Sequence, residues 1–460
     1  MSNIKFGTDG WRAIISDQFT FENVRKVARA IALYIVNHGF AKKPLIIGYD
    51  PRFLADKFAQ EIAKVMLESG IDVFLTERDT PTPIVAWSVK DKKAAGAVML
   101  TASHNPAEYC GIKFIPEYAG PANEIITAEL QENSNKEIEI PQAEKRGALE
   151  RFEPRERYLA YIKSFIDSEL IKAAKLKVVY DSMHGSGRGY MDRLLQDLGC
   201  QVGVLHGNRD VLFGGRNPEP SEEGLEELKI KVVESFAAVG LANDGDADRF
   251  GIVDEKGQFL HANQIIPLVF EYLVEKGLKG EIVRSIATSH FIDRIADQHK
   301  IKVNETPVGF KHIALLMMRK KIIIGGEESG GLSILGHIPE KDGLLANLLI
   351  VEMLAKYKKP LSQIWQELTQ KYGQVFNQRV NLEMTPEKKE TFMADLRERT
   401  PTDLAGLKVV EAKKIDGVKL ILEDRSWILA RPSGTEPLIR LYAEAANLGQ
   451  LEKIFKALTP

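Results

Sequence analysis

Short apolar runs alternate along most of the chain with segments whose apolar positions recur every three to four residues, the pattern of buried strands alternating with amphipathic helices. One series of elements recurs three times: an apolar strand, a helix, further strands and helices, then a strand that ends in a polar loop. The first copy begins at LIIGYDPR (Leu45 to Arg52), continues through a helix with Leu54, Phe58, Ile62 and Val65 on one face, and ends at GAVMLTASHNP. The second runs from KVVYDSMHG (Lys177 to Gly185) to AAVGLANDGDADR, and the third from EIVRSIATSH (Glu281 to His290) to IIIGGEESGG. The recurrence predicts three related α/β domains. In open α/β sheets ligands sit at the carboxyl ends of the strands, where all three loops fall. The segment from Glu117 to Glu150, rich in Glu, Asn, Gln and Lys, interrupts the pattern and is expected to decorate or leave the first domain. After about Lys371 the order changes to strand, helix, several strands and a final helix, an α+β unit. The expected boundaries are 1–150, 151–256, 257–370 and 371–460.

Charge narrows the class of partner. Lys and Arg total 62 against 64 Asp and Glu, a formal net charge of -2, so no global field favours nucleic acid or an anionic membrane. Phosphate chemistry must come from local sites. Cys110 and Cys200 are too few for a disulfide framework, and the start MSNIKFGTDG lacks the apolar core of a signal peptide. Apolar stretches such as Ala94 to Leu100 fall short of the roughly 18 residues that span a bilayer. A soluble, cytoplasmic protein without nucleic-acid or membrane partners is expected.

In DGDADR three carboxylates, Asp244, Asp246 and Asp248, stand at alternate positions after the apolar strand VGLA. Such a cluster repels itself unless a cation neutralises it, and hard oxygen ligands select Mg²⁺, Mn²⁺ or Ca²⁺ over Zn²⁺. An EF-hand is excluded: Arg249 stands where that loop needs Gly, and the flanks read as strands. In TASHNP, Ser103 follows a strand of small apolar residues and Asn105-Pro106 turns the chain, an arrangement expected to expose the Ser103 hydroxyl. A bare serine needs a base, a metal or an attached phosphate to react. His104 and Lys113 are candidate proton handlers or phosphate contacts. No GxSxG elbow supports a hydrolase.

RPSGTEP gathers Arg431, Ser433, Gly434 and Thr435 into a candidate phosphate cradle, with Arg440 on the following strand as a second cation. No Walker A pattern is present, which argues against an ordinary ATP-driven kinase. GEESGG offers Glu327 and Ser329 for sugar hydroxyls, and Lys311 and His312 in VGFKHI are further candidate contacts. GSGRG, Gly185 to Gly189, has its third glycine one position early for dinucleotide binding, and no acidic ribose ligand follows the next strand.

Together TASHNP, DGDADR, GEESGG and RPSGTEP, in this order across nearly the whole chain, resemble the α-D-phosphohexomutase family. The resemblance implies three related α/β domains with mixed sheets plus a C-terminal α+β domain of TATA-binding-protein-like topology, around a central cleft. It implies a phosphoserine at Ser103 whose phosphate joins Asp244, Asp246 and Asp248 in holding Mg²⁺, with Arg12 of GTDGWR nearby. Glu327 and Ser329 would hold sugar hydroxyls. Arg431, Ser433 and Thr435 would hold the non-reacting phosphate of a small sugar phosphate, with Lys311, Arg249, Gly434 and Arg440 as further contacts. The reaction implied interconverts hexose 1-phosphate and 6-phosphate through a hexose 1,6-bisphosphate. Within the family the GEES form resembles phosphoglucomutases, so glucose phosphates are expected, with mannose and glucosamine phosphates as alternatives. A non-catalytic sugar-phosphate sensor is the rival from another class. A monomer or dimer is expected.

Overall fold

The computed structural model describes residues 4–7, 9–138, 143–434 and 437–459. The chain forms two compact units: Met1–Ala262 with Gly309–Lys320 and Ser329–Ser362, and Asn263–Val308 with Lys321–Glu328 and Gln363–Pro460.

The first unit contains a six-stranded sheet in the order Trp11–Ile14, Tyr109–Pro116, Gly96–Leu100, Leu45–Tyr49, Val73–Thr76, Leu149–Phe152. Its last four strands are parallel, and Tyr109–Pro116 and Trp11–Ile14 add an antiparallel edge. The sequence accounts for the central strands: GAVML is buried at every position, as a strand covered on both faces requires. Helix Phe21–Asn37 buries Val24, Val27, Ala28, Ile31 and Ile35, one apolar stripe at helical spacing, and Thr20 caps its first turn.

The segment after Glu117 is integral to this layer and does not decorate it. Ile126 and Leu130 of helix Glu124–Ser134 enter the same core as helix Phe21–Asn37, and Leu149–Phe152 pairs in parallel with Val73–Thr76. Polar composition concealed a helix with only one buried face. That helix also ties down the N-terminus: the Ile4 N–H donates to Asn135 Oδ1 and the Phe6 N–H to Gln131 Oε1, both at 2.8 Å.

The second sheet of this unit runs Phe259–Leu260, Phe250–Val253, Val239–Asn243, Lys177–Asp181, Gln201–Leu205. Val239–Asn243 and Phe250–Val253 pair antiparallel, so DGDADR is the turn between them. In the other unit, Val303–Thr306, Glu281–Ser285 and Ile322–Glu327 run parallel. Its C-terminal sheet is antiparallel throughout, in the order Phe376–Glu383, Leu438–Ala445, Trp427–Pro432, Val418–Leu422, Leu407–Lys413, Asp403–Leu404. Helices Pro386–Glu398 and Leu448–Leu458 complete the core there with Met393, Leu396, Leu451 and Ile454. The expected α+β order is the observed one. Among the described residues no helix is long and apolar enough to cross a membrane.

Candidate functional site

The buried strand Gly96–Leu100 delivers the chain to Thr101, whose hydroxyl donates to Asp50 Oδ2 at 2.6 Å and accepts the Ser103 N–H at 2.8 Å. Ser103 follows in the left-handed region, at φ 51. Its hydroxyl is not exposed as the turn residues predicted. Ser103 is 1% exposed, because the aspartate loop closes over it and Asp244 Oδ2 accepts its hydroxyl at 2.7 Å. The two loops touch at Gly245, where a Cβ would lie 2.6 Å from the Ser103 carbonyl oxygen. Only a residue without a side chain permits that approach.

Asp244, Asp246 and Asp248 are each fully buried, and each offers a carboxylate oxygen within 4.8 Å of the others. Lys113, in the middle of strand Tyr109–Pro116, places its ammonium 2.8 Å from Asp246 Oδ2, 2.9 Å from Asp248 Oδ2 and 2.8 Å from Asp9 Oδ2. Lys341 adds a second ammonium 3.0 Å from Asp248 Oδ2. Thr82, at the start of helix Thr82–Asp91, donates its hydroxyl to Asp246 Oδ2 at 2.6 Å and its N–H to the Asp246 carbonyl at 2.9 Å.

The charges divide accordingly. Burial, with the Asp246 and Asp248 charges beside it, pushes the Asp244 carboxyl well above the ordinary carboxylate range. Burial opposes ionisation of Asp246 as well, but Lys113 and the Thr82 hydroxyl overcome it and hold that carboxyl low. Burial likewise works against the Lys113 ammonium, and Asp246, Asp248 and Asp9 reverse it, keeping Lys113 charged. Burial and the Arg249 and Arg12 guanidinium groups hold the His104 ring neutral, with Nδ1 3.4 Å from the serine oxygen.

Two oxygens of the cluster, Asp246 Oδ1 and Asp248 Oδ1, are buried without a hydrogen-bond partner among the described residues. Buried polar atoms are normally paired. An all-oxygen donor set with unsatisfied carboxylate oxygens beside a serine fits Mg²⁺ or a similar hard divalent cation.

Arg12 belongs to the same group: its Nη1 donates to Asn105 Oδ1 at 2.8 Å, holding the turn that follows Ser103. Arg249 donates its backbone N–H to Asp244 Oδ1 at 3.0 Å, and its buried Nε has no acceptor among the described residues. Lys311 pairs instead with Glu124 at 3.2 Å, where helix Glu124–Ser134 begins. Ser329 is exposed in the turn after strand Ile322–Glu327.

In the other unit Glu327 is buried at the end of its strand. Its neighbour Glu328, the residue that sets GEES apart, already accepts the Ser285 hydroxyl at 2.8 Å. Arg431 and Arg440 stand directly opposite each other on neighbouring strands, a like-charge pairing that an anion would relieve. Asp416 Oδ2 accepts Arg431 Nε at 2.8 Å, and Lys389 Nζ donates to the Ser433 carbonyl at 3.0 Å. Gly434 is exposed, with nothing among the described residues within 4 Å of a Cβ placed on it. Thr435 lies outside the described residues.

Sequence reasoning missed Asp9, Thr82 and Lys341 in the serine and aspartate cluster. Asp9 lay within GTDGWR and was within reach of a motif reading. Thr82 and Lys341 carry no local signal, since each acts through a partner remote in the chain.

The four loops fit one family over its whole length. The chain matches the models of phosphoglucomutase/phosphomannomutase alpha/beta/alpha domain I over residues 3–140, domain II over 156–257, domain III over 261–372 and the C-terminal domain over 380–459. The chain belongs to the phosphoglucomutase/phosphomannomutase family. Its similarity to the "Phosphoglucomutase/phosphomannomutase" of Thermococcus kodakarensis is 33% identity over 446 residues, covering 96% of this chain and 94% of that one. The "Phosphoglucosamine mutase" of Carboxydothermus hydrogenoformans is 31% identical over 453 residues, covering 98% of this chain and 97% of its own. A crystal structure from Thermus thermophilus that carries the phosphomannomutase name superposes with a TM-score of 0.87 at 30% identity, over 99% of this chain and 98% of that one. Phosphoglucomutase/phosphomannomutase family members are phosphohexomutases, and this chain is accordingly an enzyme of phosphoryl transfer.

Proposed function

We propose that the enzyme exchanges the phosphoryl group between the 1- and 6-positions of a hexose through phosphorylated Ser103, acting on glucosamine or mannose phosphates in preference to glucose phosphates. The observation that carries the chemistry is the Ser103 hydroxyl 2.7 Å from Asp244 Oδ2, within a cluster of three buried aspartates. The bond from phosphorus to Ser103 Oγ breaks as the free sugar hydroxyl bonds to phosphorus, and the hexose 1,6-bisphosphate so formed returns its other phosphoryl group to the serine. Lys113, held as an ammonium by three carboxylates, is a donor for the departing serine oxygen. His104, whose ring resists protonation, is a contact for the phosphoryl oxygens, and the proton leaving the sugar hydroxyl replaces the one that Lys113 gives up. Arg12 steadies the serine turn through Asn105.

Phosphorylated Ser103 with Asp244, Asp246 and Asp248 would hold Mg²⁺, which when bound neutralises charge on the phosphoryl oxygens. Arg431, Ser433, Gly434, Thr435 and Arg440 would hold the non-reacting phosphate, while Glu327 and Ser329, with Lys311 and Arg249 as further contacts, take the sugar. The division into 1–150, 151–256, 257–370 and 371–460 assigns one loop to each part. A cytoplasmic setting accords with Cys110 and Cys200, both free and buried.

The substrate reading departs from the glucose expectation. That expectation rested on Glu328, whose carboxylate is engaged by Ser285, and the names of the relatives carry glucosamine and mannose beside glucose. Turnover of glucosamine, mannose and glucose 1-phosphates side by side tests it. A kcat/KM highest for glucose 1-phosphate would reverse the preference. Absence of a phosphate adduct on the Ser103 peptide in active enzyme would end the serine mechanism.

A further inference from the structure

Arg52 follows the strand Leu45–Tyr49 and is fully buried. A guanidinium carries five N–H groups. Here each has an oxygen. Nε donates to Asp50 Oδ2 at 3.0 Å, Nη1 to the carbonyls of Pro106 at 2.6 Å and Tyr109 at 2.9 Å, and Nη2 to those of Ser103 and Asn105 at 2.7 Å each. The Phe213 ring lies against the same group, 4.9 Å from its centroid. Four of the five acceptors are main-chain oxygens, three of them in the turn that holds Ser103 at φ 51 and the fourth, that of Tyr109, at the start of the strand that follows. The fifth, Asp50 Oδ2, also accepts the Thr101 hydroxyl, which in turn receives the Ser103 N–H. Arg52 and Thr101 therefore grip both ends of the serine peptide.

We infer that Arg52 is a positioning residue for phosphoryl transfer, acting through the Ser103 turn, with Thr101 and Asp50 as the second arm of the same clamp. The inference rests on Ser103 as the phosphoryl carrier. A serine that gains and loses a phosphoryl group changes by about two charges in each cycle. A non-glycine residue in the left-handed region persists only where its surroundings over-determine it. A turn held by its own local bonds would follow the charge and re-aim the oxygen. A turn bonded to one planar cation, itself fixed by Asp50, keeps a single aim in both states. Lysine cannot replace the clamp, because an ammonium has three donors and no planar fork.

The test uses full-length enzyme phosphorylated with glucose 1,6-bisphosphate, and follows phosphoryl loss from Ser103 to a hexose 6-phosphate and to water. Loss of folded protein lowers both rates equally and leaves their ratio unchanged. Mis-aiming lowers transfer alone. The expected result for Arg52→Lys is a fall in the transfer-to-water ratio of roughly 100-fold, the scale of a 1 Å misplacement, with KM unchanged. Thr101→Val falls in the same direction and Thr101→Ser restores the ratio, which keeps the inference testable should Arg52→Lys fail to fold. An unchanged ratio in Arg52→Lys, or in Thr101→Val where the arginine variant does not fold, would overturn the inference, even if melting temperature drops. Wild-type enzyme that never carries phosphate on Ser103 would instead refute the carrier reading, and the inference with it.

Discussion

Thr82 Oγ1 donates to Asp246 Oδ2 at 2.6 Å, joining residues 164 positions apart. The same threonine begins helix Thr82–Asp91 and gives its N–H to the Asp246 carbonyl, so Asp246 is held at both its side chain and its main chain. Groups that orient a metal-binding carboxylate typically matter 10–100-fold in affinity. Thr82→Val is expected to weaken Mn²⁺ binding by about that factor, and Thr82→Ser to keep it, as read by electron paramagnetic resonance without any sugar phosphate.

A methyl group at position 245 should act on rate rather than on binding. The Cβ of Gly245→Ala would stand 2.6 Å from the Ser103 carbonyl and 3.2 Å from Pro218, so the serine and aspartate loops must part. Steady-state kinetics should show kcat reduced by roughly 100-fold with KM little altered. Wild-type kcat would mean that the loops do not need this approach.

The opposed arginines of the C-terminal sheet make a phosphate-dependent prediction. Inorganic phosphate should raise the melting temperature of the wild-type protein and leave Arg431→Ala unaffected, because Arg431 and Arg440 stand opposite each other on neighbouring strands and an anion between them would be lost with Arg431. Charged hydrogen bonds of about 1.5–3 kcal/mol correspond to a KM for the sugar phosphate raised roughly 10- to 100-fold in the variant.

His206 gives a pH signature away from the reaction. The Asp181 carboxylate, 2.9 Å from Nδ1, raises the affinity of the ring for its proton, with Glu227 3.3 Å from Nε2 adding to it. A histidine whose folded pKa lies above 6.5 contributes stability in full below that pH and loses it as pH rises through the folded value. Urea unfolding should therefore find His206→Gln less stable by up to about 1 kcal/mol at pH 5.5 and near wild type at pH 9.

The acidic cluster was legible because its residues sit close together in the chain. Asp244, Asp246 and Asp248 share one loop, and their mutual repulsion is visible in the string itself. The layers were legible for a related reason: GAVML and VGLAN are buried at every position, and runs this short between turn residues read as covered strands. Ser103 was placed correctly but its burial was not, because the covering loop arrives from 141 residues away. Arg52 and Lys341 are lone cations in ordinary surroundings. Their partners are main-chain carbonyls or aspartates supplied by tertiary structure, and no spacing rule reports that. The helix Glu124–Ser134 was overlooked because only Ile126, Leu130 and Ser134 of its eleven residues face inward.

The two lysine ammonium groups among the aspartates bear on whether folding would wait for a divalent cation. Lys113 and Lys341 already supply counter-charge, so the cradle is complete before any cation arrives. Folding and the binding of a cation would then be separate events, unlike small domains that collapse only around their ion. A chelator should strip the protein without melting it, and returning ions should meet a finished receptor.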